Sequence, residues 1–264
     1  MCRHLAYLGS PRTLHELLYA APHSLHVQSW APRMQQHGTV NADGFGVGWY
    51  PHPTDHSLEE NAPLRYRRAM PMWGDASFAD VARVIRTGCA VAAVRDATIG
   101  FGSEESGAQP FRADRLLFSH NGAAKDDGAL LAAFAAPPPE GALDARAPVD
   151  SAPLFAHTVR LWRATHDLPE ALVSVVRQAC ELSEGRYNLL ASDGQILVGT
   201  AAGDTLFTLR DPEGGVFLAS EPFNQAHGWH RIPEDSLVVA THGRTEIHPL
   251  HCQKCLPRSQ PPAS

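Results

Sequence analysis

Hydrophobic and polar positions alternate from the first residues of the chain. In "MCRHLAYLG", Leu5, Tyr7 and Gly9 fall on one face of an extended segment and His4, Ala6 and Leu8 on the other, which predicts a strand. Ser10-Pro11 reads as a helix cap followed by proline in the first turn, and predicts a short helix through Leu18. "NADGFGVGWY" (41–50) is turn chemistry running into a glycine-rich strand, and "LRYRRAM" is a second strand. Asp75 then caps a helix, "ASFADVARVIRT", in which Phe78, Val81, Ala82 and Ile85 recur at helical spacing. "CAVAAVR" and "RLLFSHNG" are buried strands that end in polar residues. Residues 136–150 are rich in proline and read as a linker. Two helices follow, at about 151–166 and 169–183, the first capped by the Asp150-Ser151 step with Pro153 in its first turn. After Gly185 come short strands ("RYNLLAS", "QILVGTA", "TLFTLR", "VFLASEP", "SLVVAT" and "EIHPL"), separated by turn dipeptides such as Asp193-Gly194.

Strands, a helix pair and more strands predict an α+β fold of two mostly antiparallel sheets with helices on their outer faces. One domain is expected over residues 1–250, with 251–264 a polar, proline-containing, disordered tail.

Composition narrows the function classes. The 264 residues are 44% hydrophobic and 19% charged, enough for a large core. A net charge of −6 provides no basic stripe for phosphates, so no nucleic-acid partner is expected. Without an apolar run of about 18 residues or a signal peptide, the expectation is a cytoplasmic protein with no membrane partner. The five cysteines, at scattered spacings, do not read as a disulfide framework, and Cys89 and Cys180 read as buried core thiols. Oligomeric state is not legible here.

Cys2 raises a chemical question. It is either the second residue of a frayed terminus or, once Met1 is removed, a residue carrying both a thiol and a free α-amine. Those groups titrate near about 8.5 and about 8 respectively, so the amine could serve the thiol as its base. Three polar clusters at strand ends bear on the choice. In "VRDATIG", Arg95 is either a solvated cap or a fork that grips a carboxylate through two parallel hydrogen bonds. In "SHNG", Asn121-Gly122 is either a turn or a pair of neutral donors for an oxyanion. In "VDSAP", Asp150 is either a helix cap or the receptor of an ammonium group. Taken together they describe a site that cleaves the side-chain amide of an α-amino acid.

The ordered set "MCR", "NADGFGVGW", "VRDAT", "AQPF" and "SHNG", with an Asp-Ser step near 150, resembles the class II glutamine amidotransferases over about residues 1–220. These are N-terminal-nucleophile hydrolases. The resemblance implies a four-layer αββα sandwich, Cys2 as nucleophile, and Asn121 with the Gly122 N–H as oxyanion hole. It also implies a γ-glutamyl pocket of Arg95, Thr98 and Asp150, with His120 and Ser151 beside them. No cofactor or metal is implied. The segments "VQSWAPR", "PMWGDASFADVA" and "LASEPF" match a branch whose substrate has a leaving portion bearing an imidazole and a quaternary ammonium. Trp49, Trp73, Asp75 and Phe78 are the candidates to contact it.

The tail "HPLHCQKCLPRSQPPAS" belongs to no motif associated with the family. No second catalytic domain is visible, so water is the expected acceptor and the expected reaction is hydrolysis of a small-molecule γ-glutamyl amide. A glutaminase subunit and a hydrolase of glutathione-type compounds are alternatives within the class. A metal-binding or sensing protein using His248, His251, Cys252 and Cys255 is an alternative of another class.

Overall fold

The computed structural model describes residues 2–51, 62–97, 102, 104–134 and 137–252. Thirteen strands among them form two antiparallel sheets. The first runs β11-β9-β10-β1-β4-β2-β3 and the second β13-β12-β8-β7-β6-β5. In chain order the strands of the first sheet are β1 (Arg3–Thr13), β2 (Gly44–Trp49), β3 (Leu64–Arg68), β4 (Arg86–Arg95), β9 (Phe207–Arg210), β10 (Val216–Ala219) and β11 (Trp229–Arg231). Those of the second are β5 (Phe111–Ala113), β6 (Leu116–Ala124), β7 (Gly185–Ser192), β8 (Leu197–Ala201), β12 (Ser236–Ala240) and β13 (Thr245–Pro249). Helices α1 (Leu14–Leu18), α2 (Leu25–Gln28) and α3 (Ala76–Val81) accompany the first sheet. Helices α4 (Asp127–Phe134), α5 (Ser151–Thr165) and α6 (Leu168–Leu182) accompany the second.

The period-2 alternation of β1 decides the layering. Leu5 and Tyr7 pack outward into a cluster with Leu14, Leu17, Leu25 and Phe78 of the three short helices. Ala6 and Leu8 pack inward against Leu117, Leu190 and Val238 of the other sheet. On the far side, Leu116, Phe118 and Leu189 meet Leu154, Phe155, Leu172 and Val176 of α5 and α6. Each such side chain, fully buried, contributes about 1.5–3 kcal/mol. The result is an αββα four-layer sandwich.

Several local readings change. The first helix begins at Leu14, not after Ser10, because Thr13 and Glu16 form a reciprocal capping box that outcompetes the Ser-Pro signal. The helix after Asp75 stops at Val81, and Arg86 already starts β4. The stretch read as a linker is structural. Its Asp144 is buried, pairs with Arg65 and Arg67 and accepts the Arg112 N–H, so it ties the edges of the two sheets. β11 went unread in the sequence. Cys180 is disulfide-bonded and not a free thiol, whereas Cys2, Cys89 and Cys252 are free. Among the described residues no helix is long and apolar enough to cross a membrane.

Candidate active site

Strand register gathers the site at one end of the sandwich. Arg3 pairs with Val94, so Cys2 lies across from Arg95, while Gly44 pairs with Arg95 from the other side. From the facing sheet, β6 brings Asn121 inward, on the same face as Leu117. The Cys2 backbone N–H donates to Asn121 Oδ1 at 3.1 Å, across 119 residues of sequence. Because a backbone N–H only donates, this bond fixes the amide's orientation and leaves Nδ2 as a buried donor with no partner among the described residues. Gly122 is required by space: a Cβ there would lie 1.8 Å from the Arg186 carbonyl oxygen.

The Cys2 thiol is buried. Burial pushes its pKa above the ordinary value, while the Asp96 N–H and the Arg95 guanidinium act in the other direction. It therefore rests as a thiol and needs a base. Arg95 is itself buried, with Nη2 donating to the Gly102 carbonyl at 2.9 Å and Nη1 without a hydrogen-bond partner among the described residues. Asp150 is the N-cap residue of α5, as the sequence predicts, but its side chain makes no hydrogen bond to the helix amides. A cavity of about 270 Å³ opens beside it, lined also by Gly102, Glu104, Asp127, Leu131 and Val149. Arg95 and Asp150 both act on the Cys2 thiol electrostatically. Thr98 lies outside the described residues.

His120 and Ser151 do not face the nucleophile. By alternation His120 shares the helix side of β6 with Leu116 and Phe118. One ring nitrogen, Nε2, is 2.9 Å from the Arg186 carbonyl oxygen, which can only accept. The other, Nδ1, is therefore an acceptor 2.9 Å from Ser151 Oγ, and the ring has nothing left for a ligand. Gln109, which sequence reasoning passed over, is the hub behind them. Its Oε1 accepts from Ser119 Oγ and from the His120 N–H, and its Nε2 donates to Ser151 Oγ at 3.2 Å. This buried network ties the strand bearing Asn121 to Ser151, the first residue of the helix that Asp150 precedes. The quoted motif "AQPF" contained the signal: an amide able to donate and accept at once.

His4 extends the network. Ser119 gives its proton to Gln109, so His4 Nδ1, 3.3 Å from Ser119 Oγ, is the protonated nitrogen of a neutral ring. Burial, then the Arg3 charge and His120, holds its pKa well below 6.5. The sign of the linkage follows. Below about 6.5 the unfolded chain takes up a proton that the folded chain refuses, so stability is complete above that pH and falls as pH drops through it. Melting curves from pH 7.5 to 5 should show Tm falling, and His4→Gln should flatten part of the slope. An unchanged slope would put the ring's protonation outside the fold's acid sensitivity.

Of the four leaving-group candidates, Trp73 is the exposed one. Trp49 is at the opposite end of β2 from Gly44, roughly 16 Å away at about 3.3 Å per residue, and packs on the core. Phe78 is buried against Tyr66 and Phe45. Asp75 caps the Phe78 N–H and accepts the Tyr66 hydroxyl. Trp73, beyond the end of β3 at the catalytic end, is 41% exposed and meets Trp30, 40% exposed, edge to face at 6.0 Å. Trp30, within the segment "VQSWAPR", was not singled out from the sequence. It lies in a loop anchored around the nucleophile: Glu221 accepts the Arg33 and Met34 N–H groups, and Gly38, at φ +71, packs on the Asp96 carboxylate. At the other end of the chain, His248 pairs with Glu246, and Cys255 lies outside the described residues. Among the described residues no group of three or more His, Cys, Asp or Glu gathers to hold a metal.

The chain is matched by the family model for glutamine amidotransferases class-II. That model matches residues 18–215, and the chain belongs to this family. It is 42% identical to the gamma-glutamyl-hercynylcysteine sulfoxide hydrolase of Mycolicibacterium smegmatis, over 95% of this chain and 100% of that protein. The Mycobacterium tuberculosis protein of the same name is 39% identical over 91% of this chain and 93% of its own length. A solved glutamine aminotransferase class-II domain protein from Silicibacter pomeroyi superposes with a TM-score of 0.63 at 19% identity, over 94% of this chain and 99% of that one, which speaks to the fold.

Proposed function

We propose that this chain hydrolyses γ-glutamyl-hercynylcysteine sulfoxide to glutamate and hercynylcysteine sulfoxide. The chemistry is carried by the Cys2–Asn121 contact between the sheets, and the substrate is supported by the likeness to relatives named for it. Arg95 grips the α-carboxylate and Asp150 the α-ammonium of the glutamyl group. Cys2 Sγ attacks the γ-carbonyl carbon, its proton passing to the Cys2 α-amine. Asn121 Nδ2 and the Gly122 N–H hold the oxyanion. Collapse breaks the C–N bond, and the leaving amine takes the proton from the α-ammonium. Water then attacks the thioester, gives a proton to the same amine, and releases glutamate as the thiol re-forms.

The leaving portion carries a trimethylammonium group, which donates no hydrogen bonds and is held by aromatic faces. The exposed Trp30–Trp73 pair supplies them. Side-by-side kcat/KM values for the sulfoxide, glutamine and glutathione test the reading. The sulfoxide should lead, with glutamine far behind, and Trp73→Ala should narrow that lead. Arg95→Lys, which keeps the charge and loses the fork, should lower kcat/KM by about 2–4 kcal/mol in effective terms, and Asp150→Asn should weaken selection of the α-ammonium. Parity between glutamine and the sulfoxide would remove the substrate while leaving the amidohydrolase. Normal kcat/KM in both Arg95→Lys and Asp150→Asn would remove the pocket.

A further inference from the structure

Arg3, the residue after the nucleophile, is fully buried, and neither the γ-glutamyl grip nor the oxyanion hole uses it. Its Nε donates to the Cys2 carbonyl oxygen at 2.8 Å, which pins the guanidinium to the nucleophile's own backbone. Both Nη nitrogens are buried without a hydrogen-bond partner among the described residues. The carboxylate in range, Asp204, pairs at 3.7 Å, too long for a hydrogen bond, and it is shared with Arg186. Glu221, the other acid that acts on Arg3, spends Oε2 on the Arg33 and Met34 N–H groups. A buried guanidinium with both Nη groups unused is uncommon, because each unmet donor costs about 1–3 kcal/mol. Two parallel donors on one edge are the shape that matches a carboxylate.

The substrate of the proposed reaction carries a carboxylate in its leaving portion. In a γ-glutamyl amide of an amino acid, the carbon next to the scissile nitrogen bears a carboxylate, whereas glutamine releases ammonia and has none. We infer that Arg3 binds the α-carboxylate of the leaving amino acid through its two Nη groups, and so selects γ-glutamyl amino acids over glutamine. This rests on the hydrolase reading above but requires only a carboxylate, not the hercynyl group.

γ-Glutamyl-alanine and γ-glutamyl-ethylamide differ by that carboxylate alone. Each is measured as a competitor of p-nitroaniline release from γ-glutamyl-p-nitroanilide, whose leaving group has no carboxylate. The wild-type protein should bind the alanine compound on the order of 10- to 100-fold more tightly than the ethylamide. Arg3→Met should bring the ratio of the two inhibition constants near one, and Arg3→Lys should keep only part of it. The ratio is read in the folded fraction, so a general loss of activity cancels. A wild-type ratio near one overturns the inference without the variants, should either fail to fold. A ratio preserved in Arg3→Met or Arg3→Lys overturns it too, and marks Arg3 as a structural charge. If the hercynyl sulfoxide loses to glutamine while the alanine preference holds, the substrate assignment fails and Arg3's role stands.

Discussion

Cys2→Ala should abolish turnover, a loss on the order of 10⁵-fold or more, the scale seen when a covalent nucleophile is removed. The fold should stand, since the substitution removes one sulfur at the head of β1 and leaves that strand's pairing with β4 in place. Cys2→Ser should recover little, because burial already pushes this position toward its protonated form, and a hydroxyl is harder still to deprotonate. The same argument extends to the backbone nitrogen. With the thiol's pKa raised, the attacking proton needs an acceptor within reach, and a peptide nitrogen cannot accept it. The active protein should therefore lack Met1. Intact mass spectrometry paired with an activity assay checks this: full activity in protein that retains Met1, or measurable thioester chemistry in Cys2→Ala, would overturn the role of Cys2.

What could be read from the sequence was local. The alternation in β1, the polar ends of β4 and β6, and the Asp-Ser step before α5 each depend on a few adjacent residues, so the sheets were legible and the candidate site residues could be named. What could not be read were contacts whose partners lie far apart in sequence. Nothing near Asn121 announces that its Oδ1 accepts from Cys2, and nothing near Gln109 announces Ser151. His120 shows the limit from the other side. Its place beside Asn121 suggested a shared pocket, but a one-residue step along a strand reverses the face. Trp49 failed for a related reason: sharing a motif with Gly44 says nothing about which end of the strand holds the chemistry. Trp30 and Trp73, 43 positions apart, meet only because a loop before β2 and a turn after β3 sit at the same sheet end.

Asn121→Ala should lower kcat by about 10²- to 10³-fold with little change in KM, the signature of a donor that acts on the developing oxyanion rather than on bound substrate. The residue has two duties that one substitution separates. Its Oδ1 holds the Cys2 nitrogen at 3.1 Å, and its Nδ2 is the buried donor with no partner among the described residues. Asn121→Asp keeps an acceptor for the nitrogen, removes the donor, and sets a negative charge where the oxyanion forms. If the hole is the dominant contribution, aspartate should be no better than alanine, and worse above the pH at which it ionises. If holding the nucleophile's nitrogen dominates, aspartate should restore much of the alanine loss. Steady-state kcat and KM across pH for the two variants distinguish these outcomes. A rise in KM at unchanged kcat in Asn121→Ala would move the residue out of the oxyanion hole and into substrate binding.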